Sequence, residues 1–147
     1  MIDFKVGGNT LDFNSHGAAN YNPDMPNSLV TAIQANVRAA LDEDIASGDL
    51  TAQLIPADAE ACARVISRES AVLCGSAWFD ACFAALDAKT KIVWFAQDGD
   101  AVTAGQTLCE INGSARALLS AERPALNFLQ TLSGVATVAR RYVVLIA

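Results

Sequence analysis

The chain has 147 residues, of which 52% are hydrophobic and 18% are charged. This length and balance are typical of one folded domain with a hydrophobic core and exclude a wholly disordered chain. The formal net charge of −6 argues against nucleic-acid binding, which depends on a basic surface. No apolar run has the length of a membrane span, and no basic-then-apolar signal peptide opens the chain. We therefore expect a cytoplasmic protein without membrane or nucleic-acid partners.

The cysteines and the single histidine do not form a metal-binding pattern. No two cysteines make a C-x-x-C pair, and His16 lies far from them in the sequence. A structural zinc site needs closely spaced soft ligands, so we predict none in this chain. The cysteines are instead predicted to be small buried hydrophobic residues: Cys62, Cys74, Cys82 and Cys109.

The N-terminal third of the chain divides into an arm and a helix. Residues 1–27 are rich in Gly, Asn, Asp and Pro, which predicts a flexible arm. A helix is predicted from Ser28, because apolar residues then recur at helical spacing until Gly48 provides a stop. These apolar positions are Leu29, Ile33, Val37, Ala40, Leu41 and Ile45.

The middle of the chain changes to short strands around one helix. β-rich segments on either side of a predicted turn near Glu69 and Ser70 alternate in part between apolar and polar residues, which favours strands. Asp98-Gly99-Asp100 is a predicted turn, since glycine adopts positive φ at little cost. The predicted order is strands in 61–73, a helix over 77–86, a strand over 91–96 and short strands in 101–111.

The C-terminal part carries two apolar stripes at helical spacing. One includes Ala125, Phe128 and Leu129, and the other follows Gly134. We predict two helices joined at Ser133-Gly134 and held together by Asn127 and Ser133, with Pro124 near the first turn. The last helix would expose an apolar face up to Ala147, so we expect the natural polypeptide to continue.

This order of elements predicts an α+β fold with three regions. Residues 1–27 form the arm, residues 28–115 form the α+β domain, and residues 116–147 are helices that open a further unit. No internal repeat is visible.

Four segments then resemble quinolinate phosphoribosyltransferases, in the same order as in that family. They are ALDEDIASGDLTA (40–52), RVISRESAVLCG (64–75), DGDAVTAGQTLCEING (98–113) and RALLSAERPALNFLQTLSGVAT (116–137). The last is the most specific, although Pro124 stands where the family commonly has threonine. The resemblance covers roughly residues 28–145.

The resemblance implies a fold and an activity. In this family an N-terminal α/β sandwich domain precedes an incomplete α/β barrel, so residues 116–147 would be the first helices leading into the barrel. The enzyme transfers a phosphoribosyl group from 5-phosphoribosyl 1-pyrophosphate to quinolinate with Mg²⁺. The products are nicotinate mononucleotide, pyrophosphate and carbon dioxide, on the route to NAD. A homodimer, or a higher oligomer, is expected, in which each chain contributes residues to the site of its neighbour.

The resemblance also implies which residues matter. The arginine of the E-R-x-A-L-N motif, here Arg123, is expected to bind substrate in the site of the partner. The catalytic groups of the family lie in the barrel, in motifs such as DTRKT that these 147 residues do not contain. We therefore expect the catalytic residues beyond residue 147, no metal ligands within the chain, and little or no activity of the chain alone.

Nearby charged residues have simpler interpretations. Glu122 either orients Arg123 or favours a helix N-terminus through the macrodipole. Arg116 is interpreted as structural or as a neighbour of the phosphate. The acidic cluster of Asp42, Glu43, Asp44 and Asp49 is interpreted as a solvated helix end rather than a metal site.

Two other functions are considered. The first is a related phosphoribosyltransferase of different specificity, such as the molybdenum-transport-associated homologues. The second is a biotinyl or lipoyl carrier, because DGDAVTAGQTL also resembles those domains. A carrier needs a lysine at an exposed hairpin tip, and the nearby Lys89 and Lys91 lie outside any carrier motif.

Overall fold

Six strands and three helices make up the part of the chain that the structure describes. This computed structural model describes residues 2–7, 25–46 and 54–146. The strands are β1 (Ile2–Gly7), β2 (Glu60–Ser67), β3 (Ala71–Val72), β4 (Lys91–Trp94), β5 (Ala101–Val102) and β6 (Thr107–Ser114). The helices are α1 (Asn27–Ala46), α2 (Ser76–Leu86) and α3 (Ala115–Ile146). The predicted α+β class and the order of elements in the middle of the chain are confirmed.

The main sheet has four antiparallel strands in the order β1-β2-β6-β4. Strands β2 and β6, of eight residues each, lie side by side in the centre of the sheet, with Val65 opposite Cys109. Both of these side chains are fully buried, as expected for alternate positions on the inner face of a half-buried sheet. A separate small sheet pairs β3 with β5.

Strand β1 corrects the prediction of a flexible arm over residues 1–27. Ile2–Gly7 pairs with β2 along its whole length, with Phe4 opposite Val65, so the prediction is wrong for these six residues. Ile2, Phe4 and Val6 alternate with less apolar neighbours, which is the period-two pattern of a strand. Residues 8–24 lie outside the described residues.

One hydrophobic core joins the three helices to the main sheet. It contains Ile33 and Val37 of α1, Phe79 and Phe83 of α2, and Leu129 of α3. The rings of Phe79 and Phe83 are 5.0 Å apart between centroids, a distance that favours tilted aromatic pairs. Because α3 contributes buried residues to this core, at least its first half belongs to the same packed unit as the sheet.

Helix α3 is continuous from Ala115 to Ile146, so the predicted joint at Ser133-Gly134 is wrong. Gly134 is exposed within the helix, and it is absent from the glycines of positive φ among the described residues. A glycine inside a helix costs about 0.5–1 kcal/mol relative to alanine but does not end the helix. Pro124 likewise lies well inside α3 rather than in its first turn.

Hydroxyl groups of α3 bind the backbone around β3. Ser133 Oγ accepts from Cys74 N at 3.0 Å and donates to the carbonyl oxygen of Cys74 at 3.1 Å. Thr137 Oγ1 accepts from Val72 N at 2.8 Å and donates to the Ser133 carbonyl oxygen. Ser133 therefore attaches α3 to the segment before α2 and does not hold a helix pair together.

The predicted turn at Asp98-Gly99-Asp100 is confirmed and has a second role. Gly99 has a φ of 97°, which suits glycine. The Asp98 carboxylate accepts from Gly75 N at 3.0 Å and from Ser76 N at 3.1 Å. Asp98 thus caps the N-terminus of α2 from a distant turn, where free N–H groups need acceptors.

The last part of α3 presents apolar side chains to solvent. Val143, Val144, Leu145 and Ile146 are each more than half exposed, and the predicted exposed apolar face is confirmed. Across the described ranges, no helix has the length and apolar character needed to cross a membrane.

Candidate functional site

Arg123 extends from an anchored stretch of α3 into solvent. Its neighbours Ala121, Pro124 and Ala125 are buried, whereas the Arg123 side chain is 81% exposed. The packed neighbours fix the backbone at this position, because a close-packed interior permits little displacement. The guanidinium group is therefore carried on a rigid support and points away from the core of its own chain.

Asp44, near the end of α1, is the charged partner of Arg123. Asp44 Oδ1 lies 3.9 Å from Arg123 Nη1, and the Asp44 side chain is 28% exposed. Within the acidic cluster, Asp42 and Glu43 are exposed, as predicted for a solvated helix end, while Asp49 lies outside the described residues. The prediction is wrong for Asp44, because this carboxylate contacts α3.

A groove of about 520 Å³ surrounds this ion pair. We call it the Arg123 groove. Residues of α1 and α3 line it, together with Trp78 of α2. From α1 these are Asn36, Ala40, Glu43 and Asp44, and from α3 they are Arg123, Pro124, Asn127, Phe128, Thr131 and Leu132. The groove combines apolar surface with amide groups, two carboxylates and one guanidinium group, so Arg123 is the group of this lining that can pair with an anion.

Asn127 belongs to this groove. Its side chain is exposed, one helical turn after Arg123, and residues four apart lie on the same helix face. The prediction that Asn127 holds two helices together is wrong, because α3 is one helix.

Glu122 and Arg116 have local roles that differ from that of Arg123. Arg116 Nε donates to the Ile55 carbonyl oxygen at 2.7 Å, in agreement with its structural interpretation. Glu122 is half-buried and lies well inside α3, whose first turn contains no acidic residue. The macrodipole interpretation of Glu122 is therefore wrong.

A larger cavity, of about 730 Å³, lies elsewhere and has balanced charges. Lys89, Lys91 and Arg116 line it together with Asp58, Glu60 and Asp87. Hydrogen bonds from Lys89 N and Ser114 N lower the pKa of Asp87, so this acid stays ionised. The two lysines lie before and at the start of β4, outside the segment 98–108 that carries the carrier-like pattern.

Asp80 is a half-buried carboxyl group that lines a third cavity, of about 260 Å³, between α1 and α2. Its Oδ1 accepts from Trp94 Nε1 at 2.9 Å. Burial raises the pKa of Asp80 to about 6, the Trp94 hydrogen bond opposes this shift, and the Asp98 charge adds to it. The ionisation of Asp80 therefore changes the free energy of unfolding between about pH 4 and pH 6, the interval between its unfolded and folded pKa values.

With this geometry established, comparison with known proteins identifies the family. A family model described as "Quinolinate phosphoribosyl transferase, N-terminal domain" matches residues 49–133. The chain belongs to this family. The matched region includes the Arg123 position, most of the main sheet and the first half of α3.

Individual members of the family agree with this assignment. A probable nicotinate-nucleotide pyrophosphorylase (carboxylating) of Bacillus subtilis is 38% identical over 101 residues, which are 69% of this chain and 35% of the relative. A chloroplastic nicotinate-nucleotide pyrophosphorylase of Arabidopsis thaliana is 36% identical over 110 residues, 74% of this chain and 32% of the relative. The chain thus spans about a third of the length of these curated relatives.

Solved structures of the family have the same fold over this region. The nicotinate-nucleotide pyrophosphorylase of Francisella tularensis superposes with a TM-score of 0.75 at 41% identity, over 84% of this chain and 43% of that protein. The corresponding protein of Ehrlichia chaffeensis gives a TM-score of 0.69 at 28% identity, over 82% and 42%. Both comparisons place the present chain on less than half of a family member.

The described residues do not offer a set of ligands for the Mg²⁺ ion that the resemblance implies. No group of three or more His, Cys, Asp or Glu side chains suitable for a metal occurs among the described residues. In the acidic cluster of α1, Asp44 contacts Arg123, and Asp42 and Glu43 are exposed to solvent. These residues do not fit a dedicated magnesium site, which needs oxygen ligands converging in octahedral geometry.

Proposed function

We propose that this chain is the front part of an enzyme that transfers a phosphoribosyl group from 5-phosphoribosyl 1-pyrophosphate to quinolinate. The transfer releases pyrophosphate, and decarboxylation then gives nicotinate mononucleotide and carbon dioxide, a step of NAD biosynthesis. Family membership supports the reaction class, and the names of the relatives favour quinolinate over the substrates of molybdenum-transport-associated homologues. The observation that carries the role of this chain is the exposed Arg123 guanidinium on an anchored helix.

The chemistry explains why an arginine is suited to this position. Quinolinate carries two carboxylates, and the planar fork of arginine can donate two parallel hydrogen bonds to one of them. Transfer of ribose makes the ring nitrogen cationic. When the adjacent carboxylate leaves as carbon dioxide, its bonding electron pair stays on the ring carbon, where the cationic nitrogen stabilises it, and this carbon then takes up a proton. A guanidinium that holds the other carboxylate orients the ring for this step.

The direction of Arg123 supports binding across a subunit interface. Its side chain leaves the packed core of its own chain and is mostly exposed, so a neighbouring copy can approach it. We propose a homodimer in which Arg123 of one chain binds quinolinate in the site of the other. The closed symmetry of most homo-oligomers would place two such arginines in equivalent sites.

The other groups of the reaction are proposed to lie outside this chain. Mg²⁺ is expected to bind with phosphoribosyl pyrophosphate in the complete enzyme, where it neutralises the departing pyrophosphate. The catalytic residues are expected there too, so we propose that the 147-residue chain alone is essentially inactive. A cytoplasmic location is also part of the proposal, although plant relatives are named as mitochondrial or chloroplastic.

The role of Arg123 is tested in the full-length gene product that contains these residues. Arg123→Ala should weaken quinolinate binding by about 3 kcal/mol, or roughly a hundredfold, because it removes the cationic partner of a quinolinate carboxylate that the assembled dimer site would bury. Arg38→Ala is the matched control, since Arg38 is an exposed arginine of α1. Isothermal titration and turnover assays measure both variants.

Three results would contradict the proposal. The first is full-length wild-type protein that does not turn over quinolinate. The second is unchanged quinolinate affinity in Arg123→Ala. The third is robust catalysis by the 147-residue chain, which would show that the reacting groups lie within it.

A further inference from the structure

We propose that Asp44 is a positioning residue that holds the Arg123 guanidinium in the direction needed for quinolinate. This inference rests on the proposed function, since it concerns the same arginine. Asp44 is not expected to touch the substrate itself. It acts by limiting the orientations of a long side chain that is otherwise free in solvent.

The backbones of Asp44 and Arg123 are held in place by packing, whereas the exposed side chain of Arg123 can change its conformation. Asp44 lies on α1, whose Ile33, Val37 and Leu41 are buried in the common core. Arg123 lies on α3 between buried neighbours. Both backbones are therefore fixed, and the main variable between them is the conformation of the arginine. An arginine side chain has about 2 kcal/mol of rotamer entropy, so an unrestrained Arg123 would occupy many orientations.

The ion pair can orient the guanidinium and still leave donors for a ligand. The separation of 3.9 Å and the exposure of the Arg123 side chain describe a solvent-screened pair, a class that contributes about 0.2–1 kcal/mol. The contact is made by Nη1, and a guanidinium has five N–H donors, so the other donors can bind a carboxylate of the ring while Asp44 stays in place. A shorter, buried pair would compete with the substrate, and no pair at all would leave its ordering cost to the binding step.

Glu43 provides an internal comparison. It lies next to Asp44, has the same charge and lines the same groove. Within the described residues, however, the ion pair of Arg123 is formed by Asp44 and not by Glu43. Neutralising either residue removes one negative charge near an incoming anion, and only neutralising Asp44 removes the contact.

The kinetic test uses Asp44→Asn and Glu43→Gln in the full-length gene product. We expect Asp44→Asn to raise the KM for quinolinate about threefold to fivefold, the equivalent of losing the upper part of an exposed ion pair. Glu43→Gln should leave that KM unchanged or slightly lower, and neither variant should change the KM for phosphoribosyl pyrophosphate. In an Arg123→Ala background, Asp44→Asn should no longer raise the KM and should behave like Glu43→Gln, because residues that act through one contact are not additive. Equal effects of the two neutralising variants, or an additive effect of Asp44→Asn, would overturn the inference.

A second measurement does not depend on catalysis. In the 147-residue chain, the ¹⁵N relaxation of the Arg123 Nε–H group, assigned by its loss in Arg123→Lys, reports the order of this side chain. Asp44→Asn should lower that order, while Glu43→Gln should leave it unchanged. An unchanged Arg123 signal in Asp44→Asn would overturn the positioning role even if the enzyme is active. Absence of turnover in the wild-type protein would instead refute the proposed function.

Discussion

Replacing Ser133 by alanine tests how α3 is attached to the rest of the fold. Ser133 is 5% exposed, and its hydroxyl binds both the N–H and the carbonyl oxygen of Cys74. Alanine leaves both backbone groups without this partner. A polar group left unsatisfied costs about 1–3 kcal/mol when buried, and Cys74 is half-buried, so the lower value applies to each. Alanine regains roughly 0.5 kcal/mol through its higher helix propensity. The net expected loss is about 1.5 kcal/mol.

Urea unfolding of the 147-residue chain, followed by far-UV circular dichroism and tryptophan fluorescence, measures this loss. Thr131→Ala is the control, because Thr131 is exposed on the same helix two positions earlier. It should change the free energy of unfolding by less than about 0.5 kcal/mol. A Ser133→Ala variant as stable as this control would refute the proposed attachment of α3.

Three further substitutions have expected outcomes in the same assay. Gly134→Ala should stabilise the chain by about 0.5–1 kcal/mol, since a Cβ there meets nothing within 4 Å; a destabilised variant would favour the predicted joint over a continuous helix. Asp98→Ala should cost about 1 kcal/mol by removing the cap of α2, and an unchanged midpoint would contradict that role. Asp80 has a folded pKa of about 6, above its unfolded value of 3.8, so its ionisation lowers stability as pH rises through this interval, by up to about 3 kcal/mol. Asp80→Asn, which keeps an acceptor for Trp94, should therefore be more stable than wild type at pH 7.5 and lose that advantage near pH 4; an advantage independent of pH would contradict the assignment.

The alternation between strand and helix patterns was sufficient to predict most elements. The change of apolar spacing near residue 61 and again near residue 77 separates β2 from α2, because strands and helices repeat with different periods. The turn at Gly99 followed from glycine chemistry in the same way. These features are local, so one sequence contains enough information to predict them.

Elements that depend on distant contacts were not predicted. Ser133-Gly134 has the composition of a helix end, yet α3 continues through it, and Ser133 binds Cys74 across the fold, a contact that leaves no local pattern in the sequence. The alternating pattern of β1 covers six residues and is followed in the sequence by a Gly- and Asn-rich segment. The composition of that segment therefore determined the prediction for residues 1–27. Strand β1 pairs with β2, which follows about sixty residues later in the chain, so the pairing is a long-range contact.

The candidate site was predicted in part. Arg123 followed from the resemblance of its motif, and the structure gives the position of that residue on α3. Its partner Asp44 was grouped with a solvated acidic cluster, because adjacent helical residues with like charges give no indication of which one faces another element. Only the packing of α1 against α3 distinguishes Asp44 from Glu43.

A subunit-mixing experiment tests the central claim most directly. Full-length Arg123→Ala subunits are mixed, after reversible dissociation, with subunits that retain Arg123 and are inactivated in the barrel. If Arg123 acts in the site of the partner, each mixed dimer has one complete site, and random pairing in a twofold dimer restores about a quarter of wild-type activity. Mixtures that stay as inactive as either parent, despite demonstrated exchange of subunits, would contradict the claim.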